Sequence, residues 1–459
     1  MQSHHPDQAF AVQFPDVETV DIMLADSNGV LRGKRTPIDQ LEKVITEGIL
    51  LPRSIFGNKI TGEAAEATEL GDATGDRDYL CQVQAKTLAP CPWQPKTAQL
   101  LSHMVEANGS GLRCDPRTVL TDAVTRLDSH GYSAVVAVEL EFYLLDVKTD
   151  AQGQPQPPIS PDSGRRDCET QVYSFEDLNS YGDFLALVQQ SAQAQNIPAT
   201  AAIAEFAPGQ FEINLQHINN PVLACEQALL LKRIIKGCAK ACGYQATFMA
   251  KPYQQLAGSG MHVHISVLDQ QGNNIFSPDV SPLITNETIN PAMRQALSGL
   301  ITTMQDSLLA FAPHANSYHR IQPGSFVPIN KSWGHNNRTV ALRIPLSSPS
   351  ATRIEYRIGG ADANPFVVMA CIINGICYGF DHGNLPLPSE TELSAYKEQR
   401  ESIACNWKES VHYFQHSEFI HEYLGAEFQS VYSQIKTEER LDFERHISQL
   451  EYDWYQTLA

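Results

Sequence analysis

The sequence predicts an α+β fold in which a small strand-rich N-terminal domain precedes a larger domain built on an antiparallel sheet. The first observation is a β-type run at residues 19–31 that meets Ser27-Asn28-Gly29, a hairpin signal. The second is that helical stretches and short strands beyond residue 115 do not alternate in regular βαβ units, which favours an antiparallel sheet over a doubly wound one. The third is the length of 459 residues, which predicts two or three domains at about 150 residues each.

The predicted elements follow in order along the chain. Residues 1–15 are expected to form a tail, residues 16–110 the N-terminal domain and residues 111–459 the larger domain. The basic cluster at residues 32–35 is interpreted as a solvated strand end. Asp115 before Pro116 predicts a capped helix that stops near Gly131. Beyond it we predict a strand at residues 135–146, a surface loop at 148–166, and helices at 180–195, 222–242, 291–312 and 364–379.

The composition narrows the classes of partner. A net charge of −19 repels phosphate backbones, so we expect no nucleic-acid binding by the protein as a whole. Ten cysteines without a CxxC pair favour reduced thiols, and the first residues carry no apolar export signal. The longest uncharged apolar stretch, residues 363–380, is shorter than the roughly 20 residues of a membrane span and is interpreted as a buried helix. We therefore expect a cytoplasmic protein that does not enter a membrane.

Polar side chains of one parity mark four strand-like segments. Successive side chains of a strand point to opposite faces, so residues two apart emerge together. Any one segment could be an amphipathic strand with a solvent-exposed polar face. Burying unpaired carboxylates between apolar neighbours costs free energy, however, so their presence in several segments favours a functional site. The residues concerned are Glu139 and Glu141; Gln210, Glu212 and Asn214, with Glu205 just before them; His262, His264 and Ser266; and Arg353, Glu355 and Arg357.

These segments together predict a site for divalent cations. Several glutamates with one or two histidines suit Mg²⁺ or Mn²⁺ better than thiolate-bound zinc. Carboxylates on neighbouring same-face positions can serve two ions, which suggests phosphoryl transfer. Five arginines in one third of the chain could form bidentate hydrogen bonds to carboxylate or phosphate oxygens. They are Arg320, Arg338, Arg343, Arg353 and Arg357. The sequence contains no P-loop motif, so ATP would bind in another way.

The same segments, in this order, resemble the glutamine synthetase family over nearly the whole chain. The matching motifs are ELE (139–141), the pair Glu205 and Glu212 around GQ, GSGMHVH (258–264), NSYHR (316–320), NRTVALRIP (337–345) and RIEYR (353–357). PGQFEINL, TFMAKPY and GADANP are similar to the versions found in the branch of γ-glutamylpolyamine ligases. The resemblance implies a β-grasp N-terminal domain, a catalytic domain with a curved antiparallel sheet and flanking helices, and a large homo-oligomer of stacked rings, a dodecamer, with active sites between subunits.

The resemblance also implies a role for each site residue. Glu141, Glu205 and Glu212 would hold one metal ion, and Glu139, His262 and Glu355 the second. Gly258, His262, Arg320 and Arg357 would hold L-glutamate. Arg338, Arg343 and Arg353 would face ATP and the phosphoryl group, with His264 and Ser266 nearby. Arg320, Arg338 and Arg343 are the expected catalytic residues. The implied cofactors are ATP and two or more Mg²⁺ or Mn²⁺ ions.

Departures from the family pattern bear on the amine substrate. Ammonia-using members carry a glutamate in the flap loop, where this chain has Phe326, and an acid in a segment that corresponds to residues 52–58, which has none. An apolar wall suits an alkyl amine, and putrescine is the leading candidate. Residues 63–78 are a candidate partner for its far end, although a solvated acidic loop is the favoured interpretation. The alternatives are another amine (spermidine, ethanolamine or a monoamine), ammonia as in glutamine synthetase itself, a guanidino kinase, and a non-enzymatic structural oligomer.

Overall fold

The computed structural model describes residues 6–278 and 289–459. Its N-terminal part contains a six-stranded sheet in the order β2-β1-β6-β4-β3, with β5 paired to β6. Strands β1 and β6 run parallel and the other neighbours antiparallel. The elements are α1 (Pro6–Gln13), β1 (Thr19–Ala25), β2 (Leu31–Pro37), α2 (Leu41–Glu47), β3 (Ile49–Pro52), β4 (Asp78–Val83), β5 (Ala89–Pro90) and β6 (Thr97–Val105).

The predicted hairpin is present, and charged side chains hold its turn. One carboxylate oxygen of Asp26 accepts hydrogen bonds from the backbone amides of Asn28 and Val30, and the other lies 2.9 Å from Nε of Arg32. Arg35, further along β2, pairs with Asp21 at 2.6 Å. The basic cluster is therefore part of strand β2, where residues 33–35 are exposed as expected, and its two arginines pair with aspartates of the hairpin.

The expected N-terminal tail differs from the structure. Residues 6–13 form helix α1, and Phe10 is buried against Val20, Ile22 and Leu41. The helix is short and weakly amphipathic, so its periodicity gives little signal. The burial of one aromatic ring fixes it against the sheet.

The larger part of the chain is built on an eight-stranded sheet in the order β12-β13-β14-β11-β7-β9-β8, with β10 paired to β7. Its neighbours are antiparallel except β12 and β13. This confirms the α+β prediction. The elements are α3 (Pro116–Ser129), β7 (Ser133–Asp146), α4 (Phe175–Ser180), α5 (Gly182–Ala194), β8 (Ala199–Ala204), β9 (Gln210–Leu215), α6 (Pro221–Ala241), β10 (Tyr244–Thr247), β11 (Met261–Leu268), α7 (Pro291–Phe311), α8 (Ser317–Arg320), β12 (Trp333–His335), β13 (Leu342–Ile344), β14 (Ile354–Tyr356), α9 (Pro365–His382), α10 (Trp407–His416), α11 (Glu418–Tyr423), α12 (Ala426–Arg445) and α13 (Gln449–Tyr455).

Most predicted helices and strands are confirmed within a few residues. Asp115 caps α3 by accepting from the amide of Arg117, as expected. The helix predicted at residues 180–195 is confirmed as α5, which begins two residues later, at Gly182, after α4 ends at Ser180. The chain leaves helical geometry at Tyr181, whose ring is buried in the core.

Helix α9 is the long apolar stretch of the sequence, and it lies inside the protein. Among the described residues it is the one helix long and apolar enough to cross a membrane, but 78% of it is buried. Its Asn374 donates a hydrogen bond to the backbone carbonyl of Tyr423. The interpretation as a buried helix is confirmed.

The two sheets are joined by the C-terminal helices. Val431 and Ile435 of α12 pack into the core of the N-terminal sheet beside Phe56 and Met104. The division at residues 110 and 111 stays a prediction, since α12 contributes to the core on the other side of it.

Candidate active site

One face of the larger sheet lines a pocket of about 880 Å³. Every predicted site residue except Ser266 lines this pocket. These residues come from six strands or strand ends, from the segment before β11, from the end of helix α8 and from the loop after β12. The predicted residues that line it are Glu139, Glu141, Glu205, Glu212, Gly258, His262, His264, Arg320, Arg338, Arg343, Arg353, Glu355 and Arg357.

Strand register explains this convergence. His262 of β11 lies directly opposite Glu139 of β7, and His264 lies opposite Glu355 of β14. On the other side of β7, Glu141 lies opposite Glu212. Cross-strand partners have Cβ atoms roughly 5 Å apart, so the same-face residues of four strands form one continuous polar row.

Glu139 is held by both histidines. His264 Nε2 lies 2.9 Å from one carboxylate oxygen, and His262 Nδ1 lies 3.5 Å from the other. The opposite ring nitrogen of His264, Nδ1, accepts a hydrogen bond from Nε of Arg353 at 3.0 Å. Burial alone would raise the pKa of Glu139, but the hydrogen bonds and charges of the two histidines outweigh it and lower that pKa. Glu139 is therefore an ionised acceptor at the centre of the row.

Glu355 lies between two arginines. Nη1 of Arg343 is 2.9 Å from one of its oxygens, and Arg357 donates to the other. Burial opposes ionisation, but the charges of Arg357, the nearby histidines and Arg343 lower the pKa of Glu355 to about 2. The carboxylate thus orients both guanidinium groups toward the pocket.

Glu212 is buried and Glu205 is partly buried, and neither carboxylate has a basic partner in direct contact among the described residues. Among the described residues, neither forms an ion pair with a lysine, arginine or histidine. Burial and the charges of Glu141 and Glu139 outweigh the opposing charge of Arg338 and raise the pKa of Glu205 to about 7. Burial and the charges of Glu139, Glu141 and Glu205 raise the pKa of Glu212 to about 9. Buried carboxylates in this state favour a cation, because a cation relieves both desolvation and mutual repulsion.

The donor set fits divalent metal ions. Two groups of potential ligands share Glu139. One group adds His264 and Glu355, and the other adds Glu212 and His262. Within each group the ligand atoms all lie within 4.8 Å of one another. Carboxylate oxygens with one imidazole nitrogen are ligands that Mg²⁺ and Mn²⁺ accept. The grouping differs from both sets implied by the family resemblance. His264 stands in place of His262 beside Glu139 and Glu355, and Glu212 groups with Glu139 and His262 rather than with Glu141 and Glu205. The assignment of ligands to each ion therefore stays a prediction.

Ser266 lies outside the lining of the pocket. It is two residues beyond His264 on β11, and its hydroxyl donates to the backbone carbonyl of Thr352 at 2.9 Å. The side chain is thus used in joining β11 to the segment before β14, and its role near the nucleotide stays a prediction.

Arg320 lies beside the acids, since a Cβ at Gly260 would be 2.6 Å from its Nη2 and 3.4 Å from Oε2 of Glu141. The Arg320 side chain is buried, and its Nη1 donates to the carbonyl of Ile358 at 2.7 Å. Gly258 packs against it closely. A Cβ at Gly258 would lie 2.6 Å from the carbonyl oxygen of Ala250 and 2.7 Å from the Arg320 side chain, so only glycine fits without displacement.

Several lining residues were not predicted because they lie on loops, where no periodicity marks them. Tyr173 and Phe206 line the pocket beside Glu205, and Asn336 accepts a hydrogen bond from Arg343. Tyr173, Phe326 and Asn336 have φ of 62°, 57° and 47°. Such backbone conformations are uncommon outside glycine and cluster at functional sites, but a single sequence does not reveal them. No residue of 63–78 is among the described lining of the pocket within this chain.

Comparisons with known proteins agree with this geometry. Residues 113–455 match the glutamine synthetase catalytic domain. The chain is 42% identical to γ-glutamylputrescine synthetase of Escherichia coli (strain K12) over 96% of its own length and 92% of that protein. It is 31% identical to a glutamate–isopropylamine ligase of a Pseudomonas species, over 92% of this chain and 91% of the ligase. In structure it is similar to ligand-free GmaS, with a TM-score of 0.83 and 22% identity. The match covers 98% of this chain and 99% of the GmaS chain.

The catalytic-domain match covers well over half of the chain, and the two relatives cover most of it at 31% identity or more. The motifs that carry the sequence resemblance line one pocket of an α+β fold shared with a solved structure. The chain belongs to the glutamine synthetase family.

Proposed function

We propose that this protein joins the γ-carboxylate of L-glutamate to a primary amine at the expense of ATP, and that the amine is putrescine. The observation that carries the proposal is the composition of the pocket. A row of acids and histidines suited to divalent ions, five arginines, and Phe326 in place of the flap acid face the same space. The similarity to γ-glutamylputrescine synthetase supports putrescine as the leading amine.

The reaction has two stages. The γ-carboxylate of glutamate attacks the γ-phosphorus of ATP, which releases ADP and leaves γ-glutamyl phosphate. The uncharged amine then attacks the γ-carbonyl carbon, the C–O bond to phosphate breaks, inorganic phosphate leaves, and the nitrogen releases one proton to give the amide. Arg338 and Arg343 neutralise charge on the migrating phosphoryl group, and Arg320 and Arg357 hold the carboxylates of glutamate.

Two divalent ions, Mg²⁺ or Mn²⁺, complete the proposed site, and when bound they position and neutralise the phosphates of ATP. Glu141, Glu205 and Glu212 would hold one ion. Glu139, Glu355 and His262 would hold the other, with His264 close enough to share it. Arg353 lies on the nucleotide side of this row, where it already contacts His264.

Phe326 favours an alkyl amine over ammonia. Its side chain is 56% exposed and lines the pocket. Ammonium is a small cation that needs polar or negative groups to bind and to lose a proton, whereas an aromatic ring offers apolar contact to a methylene chain. The alternative is another alkyl amine, because one relative is named for ligating isopropylamine and another for forming γ-glutamylethanolamide.

The proposed assembly is a large cytoplasmic homo-oligomer of stacked rings, a dodecamer. Its support is family membership together with the seven large apolar side chains exposed within residues 443–458, which a partner subunit would cover. Light scattering on the purified protein measures the mass of the assembly, and a monomer would contradict this part of the proposal.

Release of inorganic phosphate tests the reaction. We expect release only when ATP, Mg²⁺, glutamate and an alkyl amine are all present, with putrescine most effective in a panel that includes spermidine, ethanolamine, isopropylamine and ammonia. Equal release with ammonia and none with any diamine would contradict the polyamine proposal. Binding of neither Mn²⁺ nor ATP would contradict the ligase itself.

A further inference from the structure

We infer that Tyr173, Phe206 and Phe326 form an aromatic site that holds the distal ammonium group of a diamine substrate. The inference rests on the proposed ligase function and goes further, because it assigns the residues that distinguish a diamine from a monoamine of the same length. This group is called the aromatic site below.

The three rings share one pocket and are exposed into it. Their exposed fractions are 58% for Tyr173, 49% for Phe206 and 56% for Phe326, although large aromatic side chains usually bury most of their surface. Exposure of three rings in one concave site is the pattern of a binding surface rather than of a core.

Two of the rings stand beside the acid cluster. Phe206 follows Glu205 directly in the chain. The backbone amide of Tyr173 donates to the carbonyl of Ala204 at 2.9 Å, which places Tyr173 beside the end of β8, next to Glu205. The third ring, Phe326, comes from the loop after Arg320, which lies at the proposed glutamate end.

The backbone presents two of the rings in an unusual way. Tyr173 and Phe326 have left-handed φ angles of 62° and 57°, which bulky residues rarely adopt. Local hydrogen bonds support the second loop, because Ser325 Oγ donates to the carbonyl of Arg320 and the Tyr396 hydroxyl donates to the carbonyl of Val327. Conformations that cost free energy and present a side chain to a pocket point to a binding role.

The carboxylates of the pocket are not free to bind a second ammonium group, so the aromatic rings are its available partner. Within the described lining, the carboxylates are Glu139, Glu141, Glu205, Glu212 and Glu355. All five are candidate metal ligands, and the cations that they would bind repel an ammonium group. The faces of aromatic rings attract a cation without needing a free acid, which is how quaternary and primary ammonium groups are recognised elsewhere.

The test compares putrescine with butylamine, which has the same four-carbon chain but ends in a methyl group. KM and kcat are measured for both amines at saturating ATP and glutamate, in the full-length protein and in Tyr173→Leu, Phe206→Leu and Phe326→Leu. Leucine keeps an apolar side chain but removes the ring face. Phe175→Leu is the matched control, because Phe175 is 77% exposed and lies two residues from Tyr173 but outside the pocket lining.

We expect each leucine variant to raise KM for putrescine by roughly three- to thirtyfold while KM for butylamine and both kcat values change little. Tyr173→Phe should keep the wild-type ratio, since it keeps the ring. Parallel changes for the two amines, or no change for either, would overturn the aromatic site while putrescine turnover by the wild type leaves the proposed function standing. A wild type that forms no product with any alkyl amine would overturn both.

Discussion

Two buried clusters of charged side chains in this protein contain glutamates, and the pKa of the glutamate is lowered in one cluster and raised in the other. At the junction of the two sheets, Lys436 donates to Asn28 and, at 2.9 Å, to Glu439, which also accepts from the amide of Ile60. Burial opposes ionisation there, but Lys436 and His314 lower the pKa of Glu439 to about 2. In the pocket, burial and like charges raise the pKa of Glu212 to about 9.

The difference lies in whether the chain supplies the counter-charge. Glu439 has a fully buried lysine beside it, so its cluster is complete and joins α12 to the β1–β2 turn. Glu205 and Glu212 form no ion pair among the described residues, and the charge of Arg338 only partly offsets the burial of Glu205. A complete cluster is structural, whereas an incomplete one is suited to binding cations. Four predictions test this contrast.

The largest expected effect is on stability, at the complete cluster. Lys436→Met leaves Glu439 buried without its main partner, which should lower the free energy of unfolding by about 3–5 kcal/mol. Chemical denaturation measures the change, and kcat of the folded protein should stay near wild type. Lys43→Met is the control, since Lys43 is 66% exposed and should change stability by less than about 0.5 kcal/mol. An unchanged denaturation midpoint for Lys436→Met would show that Glu439 does not depend on Lys436 for its counter-charge.

At the pocket the expected effect is on activity. Glu355→Ala removes a candidate metal ligand and the carboxylate that orients Arg343 and Arg357, so kcat for phosphate release should fall roughly 10²- to 10³-fold. The assembled mass and the melting temperature should show that the variant still folds. Glu398→Ala, at an acid paired with Arg400 outside the pocket lining, is the control. Near-normal activity of Glu355→Ala would refute the role of this carboxylate.

A smaller effect is expected at the flap. Phe326→Glu replaces an apolar wall by a charge, so the ratio of kcat/KM for butylamine to that for ammonia should fall by roughly tenfold or more. Phe326→Tyr should keep the ratio, because it keeps the ring. If Phe326→Glu leaves the ratio unchanged, the flap does not select the amine.

The smallest effect is a pH dependence of the metal-free protein. The pKa of Glu212 is about 9 in the folded chain against an ordinary value of 4.5, and that of Glu205 is about 7. The folded state therefore holds more protons than the unfolded state between these values, and stability falls as pH rises from about 4.5 to 9. Melting temperatures in EDTA should decrease across this window more steeply than with Mg²⁺, and Glu212→Gln should flatten the dependence. The same slope with and without Mg²⁺ would contradict it.

The sequence predicted the site better than it predicted the surroundings of the site. Alternating parity placed Glu139 and Glu141 on one strand face, since the period of a strand is fixed by the backbone. Which residue lies opposite which depends on register, so the approach of His264 to both Glu139 and Glu355 required the structure. The family resemblance supplied the proposed roles, which spacing alone left open.

Loops and termini were the least predictable. Tyr173 and Phe206 lie outside regular elements, and their exposure into the pocket follows from tertiary contacts that leave no local pattern. Helix α1 was expected as a tail because the burial of Phe10 depends on the sheet that it packs against. In both cases long-range packing, which a local sequence pattern does not contain, decides the conformation.

Identification of the product tests the central claim most directly. The purified protein is incubated with ATP, Mg²⁺, glutamate and equal concentrations of putrescine and ammonium. The products are separated by chromatography and identified by mass spectrometry. The account predicts a conjugate with the mass of glutamate plus putrescine less one water, formed with one phosphate per conjugate. Glutamine as the main product, without a putrescine conjugate, would contradict it.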